Sequence, residues 1–146
     1  MDWKKISIER LKDYNARKQS LDSITEQIHT LESDIVAIRA ARTDGIPIQG
    51  GNGNRREEML INNIAMREEL QNNYEIAERE IEITEKGLNA LTEEQKRVLY
   101  KFFIARSPGH VEALCDELCM EKSRVYAIKD IALKKFAVAC YGVVEI

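Results

Sequence analysis

The first third of the chain carries an uninterrupted helical pattern of apolar residues. Residues 6–42 contain neither Gly nor Pro, and Ile or Leu recurs there at steps of four and three residues. This heptad spacing predicts a long amphipathic helix with one apolar seam. Nearer the N-terminus the seam is expected to be looser, with Lys18 in one seam position. The clearest seam positions are Ile24, Ile28, Leu31, Ile35 and Ile38.

A glycine-rich segment separates this helix from a second one. Residues 43–54, TDGIPIQGGNGN, hold four of the seven glycines and one of the two prolines, and this composition predicts a flexible loop. A helical pattern then resumes, with Asn54 as its predicted N-cap and Thr84 as an interruption of its apolar stripe. Two long helices joined by one loop predict an antiparallel, coiled-coil-like hairpin over residues 1–90. Whether the seam closes within one chain or between two chains is left open by the sequence, and two stripes of this length leave room for a homodimer, which we expect.

Shorter helices follow over residues 91–146 and predict a small bundle, which makes the expected fold all-α. Thr92 and Gln95 have the spacing of a capping box, so a helix is expected to begin there. Ser107 is the predicted N-cap of the next short helix. The predicted inward-facing residues of the first short helix are Val98, Leu99, Phe102 and Phe103.

The end of this bundle has the spacing of a helix-turn-helix. A short helix is expected over residues 111–118, and a longer one over residues 122–139. The motif needs a small residue in its first helix and another four residues later in the turn, and Cys115 and Cys119 hold these positions. Both thiols are expected to be half-buried. The predicted anchors and inward stripe are Leu118, Val125, Ile128, Ala132 and Phe136.

Charge singles out the second helix of this motif. The chain has a net charge of −3, and residues 43–90 hold five Lys/Arg against ten Asp/Glu. Residues 122–136 instead hold five Lys/Arg against Asp130 alone. A basic segment on an acidic protein suggests a local anionic partner.

The outer face of the basic helix suits double-stranded DNA, because a recognition helix places its N-terminal half in the major groove. Ser123 and Tyr126 can hydrogen-bond to bases or phosphates, and Lys122 can reach guanine acceptors. A solvated charged face without a ligand remains an alternative, as does a membrane-surface helix, although the bundle core needs the apolar stripe. The candidate DNA contacts are Lys122, Ser123, Arg124, Tyr126, Lys129, Lys134 and Ser107, with Arg97 and Lys101 as weaker candidates.

No motif indicates catalysis, a metal or a cofactor. Structural zinc usually needs four Cys or His ligands in paired spacing, and the chain has two histidines far apart, His29 and His110. Neither a nucleophile–base motif nor a phosphate-binding glycine loop occurs. Three cysteines are typical of free thiols in a cytoplasmic protein, and no apolar run approaches the roughly 18 residues that span a bilayer. We therefore expect a non-enzymatic protein without a cofactor or membrane contact.

The C-terminal segments "ALTEEQKRVLYKFF" and "VEALCDELCMEKSRVYAIKDIALKKF" resemble the helix-turn-helix of region 4 in bacterial sigma factors. Nearly the whole chain resembles the ArpU/RinA-like regulators of Gram-positive phages and prophages. That resemblance rests on the glycine-rich break "GIPIQGGNGNRREEML", the pair Val125 and Tyr126, the "ALKKF" of residues 132–136 and the "YG" of residues 141–142. The chain departs from the pattern at Cys115, Cys119 and Glu121, where Ala, Gly and Ser or Thr are usual.

The resemblance implies a positive regulator of late phage genes for packaging, structural proteins or lysis. Such a regulator binds promoter DNA and acts with the RNA polymerase in the cytoplasm of the bacterial host. By position, the resemblance implies DNA contacts from Lys122, Ser123, Arg124, Tyr126 and Lys129. Two alternatives remain: a small terminase-like DNA-packaging component, and a helical interaction module whose motif does not contact DNA.

Overall fold

The computed structural model describes residues 1–42 and 52–142, and the described chain is all-α, as the sequence predicts. Most of the predicted loop lies outside the described residues. Residues 52–54 already belong to the second long helix, so the prediction that Asn54 caps it was wrong. The elements are α1 (Trp3–Arg42), α2 (Asn52–Asn89), α3 (Glu93–Leu99), a π-helical turn (Tyr100–Ile104), α4 (His110–Leu118) and α5 (Lys122–Tyr141).

Contacts divide the chain into two compact units. Unit 1 comprises Met1–Lys18 and Arg79–Ile146, and unit 2 comprises Gln19–Glu78. Residues 79–90, which the sequence assigns to the hairpin, are therefore grouped with the helices that follow them. The predicted division into domains at residue 90 stays a prediction.

The described residues of unit 2 belong to α1 and α2. The predicted stripe on α1 is confirmed, because Ile24 and Ile35 are buried and the other three members are half-buried. A polar residue, Asn63, occupies the facing seam of α2 and is also buried. Its Nδ2 donates to the Leu31 carbonyl oxygen at 2.9 Å, and its Oδ1 accepts from Arg67 Nε at 3.0 Å. These bonds satisfy both polar atoms of the buried amide.

An apolar cluster holds unit 1 together. Leu11 of α1, Leu99 of α3 and Phe136 of α5 are fully buried in it. Gly87 of α2 permits this close packing, because a Cβ there would lie 2.7 Å from Phe136 Cε2 and would also meet Cys140 Sγ. The other buried members are Leu91, Ile104, Ala132 and Leu133.

A polar group replaces apolar residues in the α1 seam of unit 1. Arg10 Nη1 lies 2.6 Å from Glu80 Oε2, and Arg10 Nε donates to the Tyr141 hydroxyl. Burial works against the charged guanidinium, but the contacts with Tyr141 and Glu80 outweigh it and leave the pKa of Arg10 raised. The seam position predicted for Lys18 is held by Arg17, which is half-buried, whereas Lys18 is exposed. That prediction was wrong because Arg17 turns inward to within 4.0 Å of Glu80.

The start of α3 follows the predicted capping box. Thr92 Oγ1 accepts from the Gln95 amide at 3.2 Å, and Gln95 Oε1 accepts from the Thr92 amide at 3.1 Å. The predicted inward face is also confirmed, since Val98, Leu99 and Phe102 are buried and Phe103 is half-buried. Val98 and Phe102 form a second apolar cluster in unit 1, and this cluster positions α4 and α5. Its other buried members are Val111, Leu114 and Val125.

Candidate nucleic-acid interface

The helix α4 begins one residue before the predicted range of 111–118, but it does not reach back to the predicted cap at Ser107. Its first residue is His110, and the preceding Gly109 has a φ of +74°, a conformation that glycine adopts without steric cost. Ser107 is exposed and lies three residues before the helix, so the prediction that it caps α4 was wrong. A left-handed glycine, not a side-chain hydroxyl, sets the start of the helix. Ser107 as a phosphate contact stays a prediction.

Residues 119–121 connect α4 to α5. Cys119 has a φ of +54° and is the one residue other than glycine with a positive φ in the described chain. Its amide and that of Met120 both bond to the Cys115 carbonyl oxygen. Cys115 is half-buried as predicted, but Cys119 is exposed, so its predicted burial was wrong. Glycine is usual at this position of the helix-turn-helix motif. The left-handed backbone of Cys119 gives a reason for that preference, whereas packing gives none, because the side chain is exposed.

Glu121 precedes α5 in an extended conformation and makes no side-chain capping bond. Its backbone carbonyl oxygen accepts from the amides of Arg124 and Val125 at 3.1 and 3.2 Å. The carboxylate is thus not engaged at the start of α5. Since the first amides of a helix have no partner within the helix, this end of α5 keeps free donors for an anion.

One face of α5 is fully buried, which fixes the direction of the opposite face. Val125, Ala132 and Phe136 have no exposed surface, so this part of the predicted inward stripe is confirmed. Ile128 is half-buried on the same face. Leu133 and Ala137 are buried as well and widen the buried face beyond the predicted stripe.

The start of α5 presents an exposed polar face. Lys122, Ser123 and Arg124 are all exposed, and Tyr126 follows one turn later with 38% of its surface accessible. Lys134 is exposed farther along the helix. Five of the seven predicted contacts therefore lie on accessible surface of a single helix.

Lys129, a further candidate on α5, is held by aromatic rings. Its Nζ lies 5.5 Å from the centre of the Phe102 ring and 5.3 Å from that of Tyr126, and it is 3.4 Å from an Asp130 carboxylate oxygen. The rings of Phe102 and Tyr126 meet edge to face at 5.6 Å. Lys129 therefore helps to orient Tyr126, and part of its charge is already engaged. The sequence gives no signal for this group, because Phe102 is 24 residues from Tyr126.

Apart from Lys129, the candidate cations of α5 differ from those of α3 in their partners. Arg97 Nε lies 2.7 Å from Glu117 Oε1, and Lys96 Nζ lies 3.2 Å from Glu93 Oε1. By contrast, Lys122, Arg124 and Lys134 form no ion pair within the residues that the structure describes. The charge of Arg97 is thus already paired within unit 1, and its role as a weaker candidate stays a prediction.

Two further features of the described residues bear on the type of site. Within residues 1–42 and 52–142, no helix has the length and apolar character that crossing a bilayer requires. The same residues contain no group of three or more His, Cys, Asp or Glu side chains that could hold a metal ion.

Comparisons of the chain with protein-family models, curated proteins and solved structures found no match.

Proposed function

We propose that the chain is a DNA-binding transcription regulator in which α4 and α5 act as a helix-turn-helix. The observation that carries the proposal is the start of α5, where Lys122 and Arg124 are exposed and have no ion-pair partner among the described residues, while Val125 anchors the helix from the opposite side. A rigid helix with an exposed cationic N-terminal turn is the element that a helix-turn-helix places in the major groove.

The residues on the exposed face of α5 would fall into two groups, those that position the helix on the DNA backbone and those that contact the bases. Lys122 and Arg124 have the charge and reach to contact phosphates or guanine acceptors. Ser123 and Tyr126 can hydrogen-bond to base edges, and the contacts of Tyr126 with Phe102 and Lys129 limit the directions that its ring can take. Fewer ring orientations mean less conformational entropy lost on binding. Asp130, which is exposed one turn beyond Tyr126, would repel phosphates and so favours contact through the first two turns of α5.

The regulatory role rests on the resemblance to the phage regulators. It leads us to infer that the duplex is a promoter of late phage genes and that the bacterial RNA polymerase is the second partner.

The first test of this proposal is the double variant Lys122→Ala/Arg124→Ala. A bidentate contact of Arg or Lys with guanine is worth about 1–3 kcal/mol, so the loss of one such contact should weaken binding to a selected phage DNA fragment by about tenfold or more. The slope of log K against log salt should fall by about two, since roughly 0.9 of a unit accompanies each phosphate contact.

A matched control separates local contacts from net charge. Lys4→Ala/Lys12→Ala removes two exposed cations from α1 and leaves α5 intact. It should reduce affinity far less than the α5 variant, and circular dichroism should show unchanged helicity for both. Equal losses from the two variants, or no loss from either, would remove the basis for assigning α5 to the groove.

A further inference from the structure

One side of unit 2 carries almost no charge, although the unit as a whole is acidic. Residues 19–42 and 52–78 hold ten Asp/Glu against five Lys/Arg. Beside the seam of α2, a second stripe over residues 59–76 follows steps of three and four residues, and one of its members, Glu69, is charged; the exposed Arg55, one step before this stripe, is charged as well. All of its members are exposed, and they are Met59, Asn62, Met66, Glu69, Asn73 and Ile76.

The neighbouring stripe of α1 consists of small or uncharged residues, apart from Asp34. Asp34 and Ala37 line a single groove with Met59, Asn62 and Met66, so the two stripes lie on the same side of unit 2. We call this side the neutral face. The α1 members of the neutral face are Ser23, Gln27, Thr30, Asp34 and Ala37.

The other flank of the seam has a different character. Its exposed apolar residues, including Ile61 and Ile64, lie among charged neighbours, most of them acidic. A basic amphipathic helix from another protein would therefore be drawn to that flank and not to the neutral face. The charged residues there are Asp22, Glu32, Arg39, Glu57, Glu68 and Glu75.

We propose that the neutral face docks a second copy of this chain through a two-fold contact, so that the α1 and α2 segments of two copies form a four-helix bundle. A two-fold contact brings the same patch together from both copies, so the patch must complement itself in charge and in shape. An acidic patch would repel its own copy, and the neutral face carries only Asp34 and Glu69. Depletion of charge and enrichment in Met are also typical of interface centres.

The sizes of the side chains on the neutral face also favour a second copy of this chain as its partner. The large residues Met59 and Met66 are seven positions apart on α2, and 48% and 50% of their surfaces are exposed. The small residues Thr30 and Ala37 are likewise seven positions apart on α1. If α2 of one copy packs on α1 of the other, each Met lies over a small residue, and the two-fold axis repeats the arrangement. This inference does not depend on the proposed function.

The test is the mass of the full chain by sedimentation equilibrium over a concentration series. The wild type should reach the mass of a dimer. Met59→Glu/Met66→Glu should weaken association by at least about tenfold, because it buries four like charges across the contact. Ile61→Glu/Ile64→Glu changes the same helix on its other flank and should leave association within about twofold of wild type.

A second double variant distinguishes a loss of association from a loss of folding. Met59→Gln/Met66→Gln preserves side-chain length and helix propensity without adding charge, and it should give an intermediate loss with unchanged helicity. Added salt should strengthen association by screening Asp34 and Glu69, whereas DNA binding should weaken with salt. A wild type that stays monomeric, a ring of many copies, or equal losses from the Met and Ile variants would overturn the proposal.

Discussion

Unit 1 and unit 2 use the same two long helices but differ in what covers them. In unit 1 the ends of α1 and α2 share an apolar cluster with α3 and α5, and Leu11 and Phe136 are fully buried there. In the described part of unit 2, Ile24 and Ile35 are the buried apolar residues, and each keeps some exposed surface. A heptad pattern therefore fixes a helix and its inward side, but complete burial requires further helices to cover the seam.

The largest expected effect is from removing one side chain in each unit. Phe136→Ala should destabilise the chain by about 3–5 kcal/mol, because the surrounding cluster cannot collapse fully around the cavity. Ile35→Ala should cost about 2 kcal/mol, near the lower end for such changes, because water can reach a two-helix seam. Urea unfolding followed by Trp3 fluorescence, which reports on unit 1, and by circular dichroism would measure both. Equal costs would contradict the difference in packing.

The packing of unit 1 also predicts the effect of adding one methyl group. Gly87→Ala places a Cβ against Phe136 and Cys140, and overpacking of this kind costs about 1–3 kcal/mol. The gain in helix propensity, about 1 kcal/mol, offsets only part of this cost. Asn72→Ala on the exposed surface of α2 in unit 2 gains propensity without a clash, so it should stabilise the helix slightly. Thermal unfolding of the two variants would show opposite shifts; a stabilised Gly87→Ala protein would mean that Phe136 can move aside.

Local patterns in the sequence predict much of this fold. The capping box of α3, the stripe on α1 and the buried face of α5 each depend on residues within a few turns of one another. The error at Lys18 has a different origin. Arg17 turns inward toward Glu80, and the neighbouring Arg10 bonds to Glu80 and Tyr141, partners 70 and 131 residues away along the chain. Periodicity over adjacent turns carries no information about such distant partners.

In the candidate site, too, local patterns in the sequence predict some features, and contacts or backbone conformations outside those patterns determine others. Exposure of Lys122, Ser123 and Arg124 follows from the apolar stripe opposite them, so the sequence predicts it correctly. The start of α4 depends on the left-handed Gly109, and sequence rules that favour a hydroxyl cap select Ser107 instead. The engagement of Lys129 by Phe102 is a tertiary contact, which the pattern of α5 alone cannot predict.

The smallest expected effect concerns alkaline pH and falls on unit 1. Burial raises the pKa of the Cys140 thiol from 9.0 to about 11, and Arg10 opposes this in part. Burial, followed by the hydrogen bond to Glu85, raises the pKa of Tyr14 from 10.0 to about 12. The folded chain thus holds these two protons more tightly than the unfolded chain does. The stability they contribute is complete below about pH 9 and is lost as pH rises toward about 12.

Thermal midpoints measured from pH 9 to about 11 should therefore fall with pH in the wild type. Tyr14→Phe and Cys140→Ala should each lower the midpoint at neutral pH but make the fall at high pH shallower, because each variant lacks one of the titrating groups. Ile35→Ala, which removes a side chain from unit 2, serves as the control and should keep the wild-type slope. If all three variants kept that slope, the loss of stability at alkaline pH would have to come from groups outside the core of unit 1. The two units would then not differ in the titration of their buried groups.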